Sequence, residues 1–182
     1  MKTFGLFVWE IFKIVIISLA IIIPIRYFLV QPFFVKGASM EPNFEDNQYL
    51  LIDEISYRFR EPQRGEVVVF KYPLKPSEFY IKRIIALPGE SVQIKDSKIS
   101  VYNKEHPDGF SLDESSYLGT IPMSDEPKIT LKENEFFVLG DNRQASYDSR
   151  RWGPLPREDL IGRVWIRVWP LAQAQAIGAP AY

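Results

Sequence analysis

A chain of 182 residues has room for one ordinary domain, or one domain and a membrane anchor, but hardly for two full cores. It has no cysteine and one histidine, which excludes disulfides and thiolate chemistry and leaves a transition-metal site without its usual ligands; no cofactor and no metal is expected. Its 22 basic side chains against 23 acidic ones lack the broad positive footprint of a nucleic-acid binder, so no nucleic-acid partner is expected either.

The charge is unevenly spread. Residues 1–36 carry four basic and one acidic side chain, a net +3, and the remainder holds 18 basic and 22 acidic, a net −4. From Ile14 to Val30 the sequence is almost wholly apolar. Ile and Val favour strand in water, yet a lone segment in lipid must satisfy its backbone internally, so a transmembrane helix over about 12–30 is expected. Trp9 and Tyr27 stand 18 residues apart, about 27 Å along a helix, and would mark the two interfaces. Arg26 then snorkels to the headgroups, and Pro24, which would kink or end a helix, fits near the outer end. A cleavable signal peptide competes, but the run is long and no clear small-x-small site follows it before Ser39. Lys2 and Lys13 oppose Arg26 and Lys36, so the positive-inside rule barely decides the orientation.

Next comes Lys36-Gly37-Ala38-Ser39-Met40-Glu41-Pro42, where Gly37 and Pro42 enforce a loop. Ser39 is there either as a turn residue or as a nucleophile. Beyond it, β-rich runs at 49–52, 66–72, 79–87, 91–94, 98–102, 135–139 and 164–169 alternate with turn signals such as Arg64-Gly65 and Pro88-Gly89. No stretch past the anchor keeps a helical period, so the body should be mostly β, an antiparallel barrel or sandwich. In the run 79–87, alternation puts Tyr80, Lys82, Ile84 and Ala86 on one face and Ile81, Arg83 and Ile85 on the other. Lys82 thus has apolar or aromatic neighbours, and burial there can strip its proton far below the ordinary lysine value. The alternative is that Lys82 or Arg83 simply pairs with a carboxylate or snorkels at an edge.

Residues 103–127, rich in Pro, Gly, Ser and acidic groups, read as an inserted excursion, and the lone His106 falls inside it. The polar run Gly140 to Gly153 follows an apolar strand and is either a solvated loop tied by an Asp148–Arg150 ion pair or part of a site. The Ala- and Gln-rich stretch 172–182 has little means of burying a core face. The expected organisation is an anchor over 1–35, a β-rich body over 36–171 with the excursion 103–127 inserted in it, and a flexible tail over 172–182.

Taken in order, these segments resemble the type I signal peptidases, from the anchor through Trp169. The likeness rests on Ser39-Met40 with Pro42, Arg64 to Phe70 with Pro73, Ile81-Lys82-Arg83 with Leu87-Pro88-Gly89, and Gly140-Asp141-Asn142-Arg143 through Arg150. It implies a single-pass enzyme of the cell (plasma) membrane that removes signal peptides from secretory preproteins on the extracytoplasmic side, cleaving after small-x-small sequences. Ser39 would be the nucleophile and Lys82 the general base, a Ser-Lys dyad. Ser146 would orient the amine, the Ser39 backbone N–H would bind the oxyanion, and Asp141, Asp148 and Arg150 would support the loop. Val35, Tyr80 and Ile81 would line shallow substrate pockets, while Phe33 and Phe34 would seat the domain on the lipid bilayer. Gly37 stands where some members carry a serine that helps bind the oxyanion, and Asn43 replaces a commoner threonine. Two rivals remain: a dedicated processing peptidase with few substrates, and an inactive tethered β module that binds partners.

Overall fold

The computed structural model describes the backbone of residues 2–28, 30–180 and 182, and the side chains of these apart from 2, 3, 24–28 and 30. The chain opens with one long helix, α1 (Lys2–Phe28). Its stretch Phe4–Ile23, 20 residues, is long and apolar enough to cross a membrane, and none of it is buried inside the molecule. The helix starts earlier than expected because Phe4, Leu6, Phe7, Val8 and Phe12 extend the apolar surface, while Glu10 and Lys13 pair at 2.7 Å one turn apart. It passes Pro24 without ending. The roles expected of the Arg26 and Tyr27 side chains lie outside the described residues.

Past α1 come β1 (Val30–Phe34), β2 (Tyr49–Asp53), β3 (Val67–Tyr72), β4 (Lys75–Ala86), β5 (Ser91–Lys95), β6 (Lys98–Tyr102), β7 (Phe110–Ser111), β8 (Glu126–Thr130), β9 (Glu135–Leu139), β10 (Leu155–Pro156), β11 (Leu160–Trp169) and β12 (Gln175–Ala176). All their pairings are antiparallel. The larger sheet runs β1-β2-β11-β3-β4-β9-β10 with β12 added beside β11, and the smaller runs β7-β6-β5-β8. The body is therefore mostly antiparallel β with no closed barrel. The apolar run that looked like the end of the anchor supplies β1 instead, since Val30 to Phe34 find a partner in Asp53 to Tyr49; Pro32 is tolerated because β1 is an edge.

Alternation along β3 and β4 sorts the core. Val67, Val69 and Ile81 join Val35, Met40, Phe44, Leu50 and Ile52 under the Ser39 loop, whereas Val68, Phe70 and Ile84 face Phe136 and Val138. A register shift between Ile84 and Ala86 takes Ala86 off the Lys82 face expected for it and into the inter-sheet core with Ile85, Val92, Ile94 and Leu139.

Two further expectations are corrected. The 103–127 excursion is tied down: it contributes β7, buries Leu112 and Leu118, and pairs Glu114 with Arg143. Residues 175–177 of the expected tail are docked, not loose, because β12 adds to β11 and Ile177 packs against the core cluster that holds Met40.

Candidate active site

Three backbone segments meet around one amine. β4 carries Lys82, the loop after β1 carries Ser39, and the loop after β9 closes over both. Lys82 is 3% exposed, and its Nζ donates to Ser39 Oγ at 2.7 Å and to the Ile81 carbonyl at 2.8 Å. Desolvation brings its pKa down from 10.5 to about 8, against the opposing pull of the Asp148 and Asp141 carboxylates. Each carboxylate is itself engaged. Asp148, fully buried, accepts from Arg150 Nε and Nη2 at 2.8 and 2.7 Å and from the Gly140 N–H at 3.1 Å. Asp141 accepts from Arg83 Nε and Nη2 at 2.8 and 2.6 Å and from Asn43 Nδ2 at 2.9 Å. Of these two neighbours, Arg83 is thus the one that pairs with a carboxylate, and Lys82 is not.

The 140–146 loop is stitched to the serine. Asn142 donates its backbone N–H to the Ser39 carbonyl at 3.1 Å and its amide Nδ2 to the Ala38 carbonyl at 3.0 Å. A Cβ on Gly140 would run into the Ser39 carbonyl and the Ser146 hydroxyl, so only glycine allows this approach. Ser146 Oγ is buried and has no hydrogen-bond partner among the described residues. The bond to Lys82 expected of it is absent here, because Oγ lies against Gly140 instead.

A groove of about 640 Å³ opens over the pair, walled by Phe33, Phe34, Phe79, Tyr80, Ala145 and Tyr147 with Ser39, Ile81 and Lys82 in its lining. Tyr80 and Ile81 line this groove. Val35 does not: it is 1% exposed and sits in the core beside Met40, since its backbone is locked to Gln48 and Asn47. Histidine is not among the lining residues, and His106 packs against Phe110 on the outside. Asn142, Gly140, Asn43 and Tyr147 contribute to the site beyond the side chains picked out from sequence; Gly140-Asp141-Asn142 was visible as a motif, but its contact with Ser39 spans about a hundred residues.

The sequence model described as signal peptidase, peptidase S26 matches residues 8–169. The chain belongs to that family. It is 39% identical over 167 residues to a probable signal peptidase I-2 of Synechocystis sp., covering 89% of this chain and 73% of the relative. To a signal peptidase I of Leptolyngbya laminosa it is 35% identical over 176 residues, 92% and 83% of the two chains. A crystal structure of a signal peptidase I from Enterococcus faecalis is 28% identical and superposes with a TM-score of 0.47 over 58% of this chain and 97% of that one. The signal peptidase is accordingly a serine endopeptidase of preprotein processing, and its apolar α1 fits a membrane anchor.

Proposed function

We propose that Ser39 and Lys82 form the catalytic dyad of this signal peptidase, cleaving preproteins by acyl transfer after small-x-small sequences. One observation carries the reading: a lysine amine 3% exposed, with its pKa lowered to about 8, lies 2.7 Å from a serine hydroxyl at the floor of a groove. A neutral amine has a lone pair that can accept the Ser39 proton as Oγ attacks the scissile carbonyl. The resulting ammonium returns that proton to the departing amine, leaving an acyl-enzyme, and the amine then deprotonates the water that hydrolyses the ester. With Gly37 offering no hydroxyl, the Ser39 backbone N–H is the assigned oxyanion donor. Ser146 is given the orienting role: a buried hydroxyl without a partner costs roughly 1–3 kcal/mol, and a χ1 change that brought it to Lys82 would relieve that. Asp141, Asp148 and Arg150 support the loop.

The small-residue preference is consistent with the Tyr80 and Ile81 side chains lining the groove together with Ser39. Lipid contact is supported by exposed aromatics on neighbouring strands, where Phe34 and Trp169 both pair with Tyr49 across β1, β2 and β11. The body would rest on the outer face of the plasma membrane with the groove at the bilayer surface. Ser39→Ala and Lys82→Ala should each abolish cleavage of a secretory precursor while the fold persists by circular dichroism. In the wild type, kcat/KM should rise with pH through a midpoint near 8. Turnover in either variant, or a profile flat from about pH 6 to 10, contradicts the dyad.

A further inference from the structure

Arg83, the strand neighbour of Lys82, is 4% exposed and reaches the Gly65 carbonyl through Nη1 at 2.9 Å besides clamping Asp141. Asp141 in turn stands between Gly140, which abuts the Ser39 carbonyl, and Asn142, which hydrogen-bonds it. The ion pair is therefore one residue away from both halves of the proposed dyad.

What closes over Gly65 and Arg83 is the end of the described chain together with Tyr117. β12 pairs with β11, and Ile177 N–H donates to the Trp165 carbonyl at 2.8 Å, which brings the following residues back across Gly65. Gly65 has a φ of +83°, and a Cβ there would meet Pro180 Cδ at 2.7 Å and Tyr182 Cε2 at 2.8 Å. The Tyr182 hydroxyl lies 2.8 Å from that of Tyr117, and the Arg83 guanidinium lies 4.0 Å from the centre of the Tyr117 ring. Pro180, Tyr182 and Tyr117 thus form one cover over Gly65 and Arg83.

We propose that Pro180 and Tyr182 are a positioning strap: with Tyr117, by covering Gly65 and Arg83 they keep water from the Arg83–Asp141 pair, which holds the 140–142 segment against Ser39 and Lys82. The inference rests on Lys82 being the base. Water exclusion strengthens a guanidinium–carboxylate pair, so opening the cover loosens Asp141.

The charged groups facing Lys82 fix the direction of the effect. Asp141 and Asp148 come from the loop after β9, compensated by Arg83 from β4 and Arg150 beyond Asp148; the Ser39 hydroxyl comes from the loop after β1. β3 contributes Val68 opposite Lys82, and β4 itself the Tyr80 ring, 5.5 Å from Nζ. A less compensated Asp141 favours the ammonium form, and so does any water admitted beside the amine. Both move the titration of Lys82 upward.

The test uses the full chain in detergent with a precursor peptide carrying a small-x-small site. In Tyr182→Ala, and in a deletion of 178–182, kcat/KM at pH 7 should fall about tenfold, with the pH midpoint about one unit higher and the rate recovered near pH 10. Tyr182→Phe keeps the ring over Gly65 and should keep the wild-type midpoint. An unmoved midpoint in Tyr182→Ala, whatever its rate, overturns the strap. If the deletion does not fold, the two point variants decide. Lys82→Ala run alongside separates the claims: turnover there overturns the base assignment and the strap together, whereas an inactive Lys82→Ala beside an unmoved Tyr182→Ala overturns the strap alone.

Discussion

Lys82 ties activity to stability through one proton. In the unfolded chain its amine titrates near 10.5, and in the fold burial lowers that to about 8. Between those values the unfolded state binds more protons, so stability rises with pH across the window. Below pH 8 both states are protonated and the full penalty of the buried charge applies, roughly 3 kcal/mol. Lys82→Met should therefore be inactive yet more stable than the wild type at pH 6 by up to about 3 kcal/mol in urea unfolding, with the gap closing as pH climbs toward 10. A Lys82→Met variant no more stable than the wild type at pH 6 would mean that the amine is hydrated. Ser39 and Lys82 could be picked out as candidates from the sequence because their motifs are local. Val35 and Ser146 were not legible in the same way: whether Val35 faces groove or core depends on Gln48 and Asn47 across a turn, and the partner of Ser146 depends on how closely Gly140 approaches.

At the scale of elements, sequence found strands that are rich in β-branched and aromatic residues on their own, such as β3, β6 and β9. It missed β8, Glu-Pro-Lys-Ile-Thr, whose strand character comes from pairing with β5 and not from composition. It also misjudged the 103–127 segment, because polar and Pro-rich composition looks the same whether or not one carboxylate reaches a buried guanidinium. Here Glu114 does so: its oxygens accept from Arg143 Nη1 and Nη2 at 2.7 and 2.6 Å, and the Arg143 side chain is 1% exposed. Removing the carboxylate leaves that charge uncompensated, and Glu114→Ala should lower the unfolding free energy by about 3 kcal/mol in urea melts. Arg143 Nε also holds the Gly140 carbonyl at 2.9 Å, so the loss should reach the active-site loop and slow turnover as well. A variant as stable as the wild type would restore the segment to an unattached excursion.

At the scale of the whole molecule, α1 carries its apolar surface on the outside while the body buries a core. The apolar Phe4–Ile23 stretch is not buried against any of the described residues, and the helix leads within two residues into the edge strand β1, whose Phe33 and Phe34 line the groove. As the proposed membrane anchor, α1 would fix the groove's distance from the bilayer and add little to the chemistry inside it. Deleting residues 1–28 should leave cleavage of a short soluble peptide near the wild-type rate, because among the described residues the groups around Lys82 (Ser39, Ile81, Asp141 and Asp148) lie in the body. Cleavage of a precursor embedded in vesicles should fall by about tenfold or more, since tethering enzyme and substrate to one surface raises their effective concentration. Replacing Phe34, Tyr49 and Trp169 together by serine in the truncated form should then release it from vesicles in a flotation assay. Equal loss on the soluble peptide and the embedded precursor would show that α1 supports the fold of the site and is more than a tether.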